Sequence, residues 1–427
     1  MKFKKLLLIS FILSLPYNNF PYGIGGTLTP LALIPGSVFI FLSFVNFCLR
    51  GVFKFNKNLL LLVVVFVYFI IITIFNDIRF YEYFVKQKIV SPWFRTFQFI
   101  IYSLISIISF YIGYRALQYI RSFNKLIKII LYAYIPSLVF GILEIITNNH
   151  SILNLIRKFF ASTQFPDGYY RIYLLTTEPS WAGFDMISYV IPITMYLLLK
   201  ERSKIYLVLL IIELVIFLEI KSLLAAIVFA ILFVAYFLVS IIYEKKVLSL
   251  LIAFFTIVIF LIGLHIFRDI YWDRFQDFLQ GNDSSALTRT VTYIIAVKIL
   301  INEPMIGVGF RNSGYFYTEY INPLLLSHPL IRDWADFWSK RFPDIKSTMF
   351  EIVASVGVQG IVFFTFFLTS IIKKILFIKD REALLLFLMI FLASFIGSFS
   401  LNLIGYPIFW FFIGLLYKFS GKRNKDV

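Results

Sequence analysis

The side chains that could do chemistry in this chain sit in a few polar stretches between long apolar runs. The first stretch runs from Gly168 to Gly183 and carries Arg171 and then Glu178, Pro179 and Ser180 just before an apolar run. A guanidinium offers a forked donor to an anion, and a carboxylate at a cavity mouth can take a proton. The same residues also suit a plain helix start, with Pro179 in its first turn and Ser180 near a cap. A second stretch carries Arg289 and then Asn302, Glu303, Pro304, Gly307 and Gly309. The two glycines could bring backbone amides close to a phosphate, or could simply form the turn that ends a helix. A third, from Lys346 to Gly360, passes from polar to apolar. Lys346 and Ser347 fall at an interface there, and Gly357 and Gly360 permit close helix packing.

Single ionisable groups also interrupt the apolar runs. Lys221 and Ser222 follow Glu219 in a very short turn. Lys221 either faces an interior cavity or snorkels to the surface. Glu144 and Glu213 lie inside apolar runs, and Asp185 lies at the start of one. Tyr315, Tyr317, Tyr320, Trp334 and Trp338 could stack on sugars or form an aromatic belt.

Several chemistries are excluded. The sequence has no G-x-x-x-x-G-K-[ST] phosphate loop and no H-E-x-x-H zinc motif. It has no D-x-D pair of the kind that holds a metal and a nucleotide sugar. His150, His265 and His328 are scattered and suggest no ligand set, and the single Cys48 allows no disulfide within the chain. Neither a metal nor another cofactor is expected.

The elements that must carry these residues are membrane helices. Of 427 residues, 60% are hydrophobic and 15% charged, against about 45–50% and about 25% in soluble chains. The excess comes in blocks near the roughly 20 residues that cross a bilayer. The fold expected is an all-α polytopic membrane protein with about twelve transmembrane helices and two large external loops. Spans begin near Leu6, Leu31, Leu59, Phe99, Ile127, Phe184, Ile205, Leu223, Val247, Met349, Ala383 and Gly405. The first resembles a signal peptide without a cleavage site and is read as a retained span.

The net charge of +17 fits this reading rather than nucleic-acid binding, since Lys and Arg cluster in every second short loop. By the positive-inside rule both termini are cytoplasmic, and the richness in Ile, Phe, Lys, Tyr and Asn resembles that of a low-GC bacterial genome. Residues 1–147 are then N-terminal spans, 148–183 a first external loop, 184–267 central spans, 268–348 a second external loop, and 349–427 C-terminal spans with a cytoplasmic tail. A shorter external segment covers about 76–95. Within the second loop, the stretch from Ala286 reads as an amphipathic interfacial helix, with Asp283, Ser284 and Ser285 as N-cap candidates. No internal repeat and no broken helix is evident.

Taken in order, these features resemble the O-antigen polymerase and O-antigen ligase superfamily of bacterial glycan-assembly proteins. The resemblance rests on Arg171 with Glu-Pro-Ser-x-x-Gly (178–183) and on Lys221–Ser222 at a span start. It continues in the large late loop, with Arg289, Pro-x-x-Gly-x-Gly (304–309) and Glu-x-x-x-x-x-Gly-x-x-Gly (351–360), and covers the chain from Tyr170 to Gly360. It implies a membrane-embedded glycosyltransferase that moves a glycan from an undecaprenyl-pyrophosphate carrier on the outer face, without nucleotide or metal. It also implies that Arg171 and Arg289 hold the pyrophosphate, with Lys221 where the family commonly has Arg, and with Arg311 as a further candidate.

Ligases of this family carry a histidine at the entry to the span after the large loop. Here that place reads Lys346, Ser347, Thr348, and His328 lies too far upstream. The departure favours a polymerase, whose partners would be lipid-linked glycans, membrane lipids and a chain-length regulator protein. The general base is then Glu178 or, second, His328. Ligase is the alternative within the family; a secondary transporter or flippase using Glu144, Glu213 and Lys221 is the alternative outside it.

Overall fold

The computed structural model describes residues 2–17, 30–50, 57–86, 91–147, 153, 172–176, 178–239, parts of 254–265, 268–280, 284–321 and 345–421. Arg171, His328, Trp334, Trp338 and most of the span expected from Val247 lie outside them.

Among the described residues the chain is helical throughout. The helices are α1 (Lys2–Ser14), α2 (Leu33–Arg50), α3 (Lys57–Arg79), α4 (Tyr81–Lys86), α5 (Pro92–Tyr119), α6 (Phe123–Ile146), α7 (Pro179–Glu201), α8 (Lys204–Glu219), α9 (Leu223–Val239), α10 (Arg268–Gln280), α11 (Ser284–Asn302), α12 (Thr348–Val356), α13 (Val358–Leu376), α14 (Arg381–Gly397) and α15 (Pro407–Ser420). Five of them, α3, α5, α6, α7 and α13, are long and apolar enough to cross a membrane. The α3 and α13 faces are mostly open, whereas α7 is buried almost throughout. That places α7 at the centre of the bundle.

The closest helix pair is α5 with α15. A Cβ on Gly113 would stand 2.0 Å from the Phe411 carbonyl oxygen, and one on Gly414 2.0 Å from that of Phe110. Small residues facing each other let two backbones approach without hydrophobic pressure from water.

Contacts sort the helix ends into two sets. At one end Lys128 pairs with Glu201 at 2.8 Å and Lys200 with Asp380 at 3.0 Å. Lys418 lies over the Tyr114 ring and Lys374 over Tyr417. This is the basic end. At the other end stand the close of α3, the starts of α5, α7 and α12, and the turn between α8 and α9. The stretches that the charge pattern sets apart from the basic loops are therefore gathered at one end.

A small second core forms there. Phe84 of α4 stacks on Tyr315 at 4.2 Å, beside Val291, Ile295 and Ile299 of α11. The segment about 76–95 thus contributes to this core through Phe80, Tyr83 and Phe84. Tyr315 and Tyr317 are buried in it, so neither a sugar-stacking surface nor an aromatic belt describes them. Burial pushes the Tyr315 phenol up to about 12, although Arg95 nearby acts in the opposite direction.

Three features depart from the sequence reading. The span expected from Met349 is split at Gly357, which adopts φ 65°, so a broken helix is present after all. The span expected from Phe184 begins earlier, at Pro179, and contains a wide π turn at Met186–Val190. The chain between α14 and α15 unwinds over 398–406, so the span expected from Gly405 begins only at Pro407.

Candidate functional site

The unwound segment 398–406 is the centre of the loop-side end. Non-helical backbone at membrane depth is tolerated only where protein satisfies its polar groups, and here four elements do so. From the start of α12, Ser347 Oγ donates to the Ser398 carbonyl at 2.9 Å and Thr348 Oγ1 to that of Leu401 at 2.9 Å. The Leu403 N–H returns to Thr348 Oγ1 at 2.7 Å. From α11, Tyr293 donates to the Phe399 carbonyl. From α5, Ser106 Oγ accepts the Gly405 N–H at 3.2 Å. From the opposite side, the Tyr406 hydroxyl donates to Asp185 of α7.

Among the described candidates, Arg289, Arg311 and Glu178 each stand beside a residue that contacts this segment. Arg289 lies one turn before Tyr293 on α11. It is half-buried, and its Nε is buried with no hydrogen-bond partner among the described residues. An enclosed guanidinium nitrogen without a partner is an unusual arrangement, because burying a charged donor unpaired costs free energy.

Arg311 follows the glycine turn in a left-handed conformation at φ 65°. Its backbone N–H donates to Glu351 at 2.7 Å, and its guanidinium lies 5.1 Å from the centre of the Tyr102 ring. Tyr102 in turn packs on Gly405.

Glu178 is the N-cap residue of α7 and is exposed. Its carboxylate accepts from Ser180 Oγ at 3.2 Å. Pro179 occupies the first helical turn, as the local string predicts. One turn on, Trp181 packs against Tyr406 at 4.9 Å. Lys221 sits at φ 53° and pairs with Glu219 at 3.2 Å. Its turn packs on Gly183, where an added Cβ would meet Ala225 at 2.7 Å. The structure therefore brings Glu178, Arg289 and Arg311 close to one segment, while Lys221 adjoins it only through Gly183 and Phe184.

The glycine turn has a structural role rather than the phosphate-cradling one. The Gly307 N–H donates to the Glu303 carbonyl at 3.0 Å, that of Val308 to Ala354 at 3.0 Å and that of Gly309 to Ser355 at 2.9 Å. In the reverse direction, the Val358 N–H donates to the Pro304 carbonyl at 2.8 Å. A Cβ on Gly357 would stand 2.2 Å from that same oxygen. The turn is thus clipped into the break between α12 and α13, and all three amides already have protein partners.

Two ionisable groups have roles apart from this site. Glu144 ends α6 and accepts the N–H groups of Tyr173 and Leu174 at 3.3 and 2.9 Å. That bond explains the left-handed Leu174. Glu213 is buried and accepts from Thr194 Oγ1 at 2.6 Å.

The sequence reading missed the 398–406 segment, and it named Glu351 only within the 351–360 motif, without its bond to Arg311. It also missed the cluster in which Asp77 accepts from Asn312 Nδ2 at 2.7 Å and from Thr96. Asn402, Gly405 and Tyr406, which interrupt an apolar run, are the signal that could have marked the first of these. No three acidic, His or Cys side chains come together as a metal site among the described residues. No known protein-family model matches the chain, and no curated protein is similar to it.

Proposed function

We propose that this protein is a polysaccharide repeat-unit polymerase. It would transfer a growing glycan from an undecaprenyl-pyrophosphate carrier to a lipid-linked repeat unit on the outer face of a bacterial plasma membrane. The observation that supports this reading is the placing of Arg289, Arg311 and Glu178 around an unwound segment, with Lys221 at the same end of the bundle, opposite the basic loops. Three cations can neutralise a pyrophosphate whose charge grows as it leaves, and Arg does so with paired donors. Arg171 is assigned to the same anion by the sequence resemblance.

The acceptor hydroxyl oxygen would attack the anomeric carbon. The bond from that carbon to the phosphate oxygen breaks, and the electron pair leaves on the carrier pyrophosphate. The hydroxyl proton passes to the Glu178 carboxylate, with His328 as the second candidate base. One displacement inverts the anomeric centre. The reaction needs no nucleotide, because the sugar arrives already activated.

Purified protein mixed with lipid-linked repeat units tests this directly. A ladder of products is expected without nucleotide or metal, and Arg289→Ala and Arg171→Ala abolish it. Absence of a ladder with intact protein overturns the activity, and undiminished ladders in both variants overturn the site.

A second reading, a secondary transporter or lipid-linked-glycan flippase, is favoured by the split at Gly357 and by the buried Glu213 and Asp185. Proton-coupled uptake or flipping in proteoliposomes that Glu213→Gln abolishes, together with no ladder, selects it.

A further inference from the structure

A long apolar groove opens on the side of the bundle between α3, α13 and α15. Its volume is about 500 Å³, within the roughly 300–1,000 Å³ typical of ligand pockets. Along α3 it extends from Asn58 to Phe69, which is about 16 Å at 1.5 Å per residue. Phe is the commonest residue of its walls, and α3 and α13 are the two most open of the long apolar helices. A groove of this kind at membrane depth is filled by hydrocarbon rather than water.

What distinguishes it from an ordinary seam between helices is where it ends. At the loop-side end it is lined by Thr348, Ser398 and Leu403, the same residues that hold the unwound segment. Phe69, a wall residue, packs on Phe310 at 5.2 Å, and Phe310 directly precedes Arg311. Ile352, another wall residue, directly follows Glu351, which fixes the Arg311 backbone. One end of the groove is therefore a single residue from the cationic site on two separate elements. At the basic end it closes on Ser370 and Tyr417, whose hydroxyls are 2.6 Å apart.

We infer that this groove holds the first few isoprene units of the carrier's polyprenyl chain while its pyrophosphate lies against Arg311. The inference rests on the carrier-lipid reading of the site. A linear, lipid-exposed groove that runs into a cation fits one hydrocarbon chain with an anionic end. The stiff aromatic walls suit a methyl-branched chain of fixed shape better than two flexible acyl chains joined at a glycerol. Holding the chain along α3 fixes the direction from which the pyrophosphate meets Arg311, so the tail would orient the leaving group.

The native Cys48 is exposed, so the test begins from a Cys48→Ser background. Val65→Cys and Leu62→Cys each place one thiol on the half-buried groove wall of α3. The full-length variants are reconstituted in phosphatidylcholine nanodiscs, and the rate of labelling by a small maleimide is measured. Each variant is first checked for a monodisperse elution profile, and two positions guard against one failing to fold.

Added undecaprenyl phosphate is expected to slow labelling at least about fivefold, while dioleoyl phosphatidate leaves it unchanged. Arg311→Ala is expected to remove that selectivity. Equal protection by both lipids makes the groove a bulk-lipid seam and overturns the inference, as does no protection by either. The readout does not need turnover. Protein that makes a ladder but shows no protection loses the groove and keeps the polymerase reading. Protection without a ladder does the reverse.

Discussion

Glu351 accepts the backbone N–H of Arg311 at 2.7 Å, and it does so while almost wholly enclosed. The same oxygen accepts from Ser355 Oγ at 3.3 Å. A carboxylate on a membrane helix thus sets the backbone of a residue in the large loop. Because Arg311 is left-handed, that bond offsets a conformation disfavoured for any side chain with a Cβ.

Glu351→Ala removes an acceptor from two donors, one of them a buried N–H. Bonds to charged acceptors contribute about 1.5–3 kcal/mol, so a loss of this size is expected in detergent-solubilised protein. Glu351→Gln keeps an acceptor oxygen and recovers part of it. Unfolding midpoints of the two variants check this, and a midpoint for the Ala variant equal to that of the parent would show the bond to be dispensable.

Gly357→Ala places a methyl group 2.2 Å from the Pro304 carbonyl oxygen, at φ 65°. With ψ −148° this backbone lies in a region essentially confined to glycine, which costs about 1–3 kcal/mol for a residue with a Cβ, and the clashing atoms are backbone, so no side-chain shift relieves the clash. Poor yield and aggregation on size exclusion are expected. Gly421→Ala is the control, since its nearest neighbour is 3.3 Å away and its φ is ordinary. Equal behaviour of the two variants would refute the clipped turn.

Most helices were legible because membrane-length apolar blocks are strong signals. The breaks within them were not. Gly357 and Asn402 each look like one tolerable interruption in a hydrophobic string. Only the partners that arrive from elsewhere, Pro304 for the first and Ser347, Thr348 and Tyr293 for the second, make an unwound backbone stable. Likewise, the small core of Phe84, Tyr315 and Ile295 joins stretches more than 200 residues apart, and no local period announces that pairing. Of the candidate site, Glu178, Lys221, Arg289 and Arg311 were visible as charges beside apolar runs. The bond from Arg311 to Glu351 was not, because Glu351 reads as one acidic residue inside a span.

Gly113→Ala and Gly414→Ala test the closest helix pair. Each added methyl meets a carbonyl oxygen 2.0 Å away, so α5 and α15 must separate. Overpacking of this kind typically costs about 1–3 kcal/mol. Both variants are expected to unfold at lower temperature than the parent, and the double variant by less than the sum of the two, because one separation relieves both clashes. A strictly additive double variant would mean that the sites relax independently.

Lys221→Asn separates charge from backbone shape. Asn tolerates the left-handed region, so the turn against Gly183 is retained while the cation is lost. If Lys221 contacts the pyrophosphate, product formation falls by about 10–100-fold, the rate equivalent of about 1.5–3 kcal/mol for one charge-assisted bond. Lys221→Arg restores charge and adds a fork, so activity at or above the parent level is expected. Full activity of the Asn variant in the ladder assay would remove Lys221 from the site.

The clip between Pro304–Gly309 and the break at Gly357 has a mechanical consequence. The bonds run in both directions, so the turn after α11 cannot swing outward without pulling on the ends of α12 and α13. This part of the large loop is a fixed wall and not a lid. On the carrier-lipid proposal, the lipid would then reach Arg311 sideways, along the groove between α3 and α13, by a path that asks it only to slide.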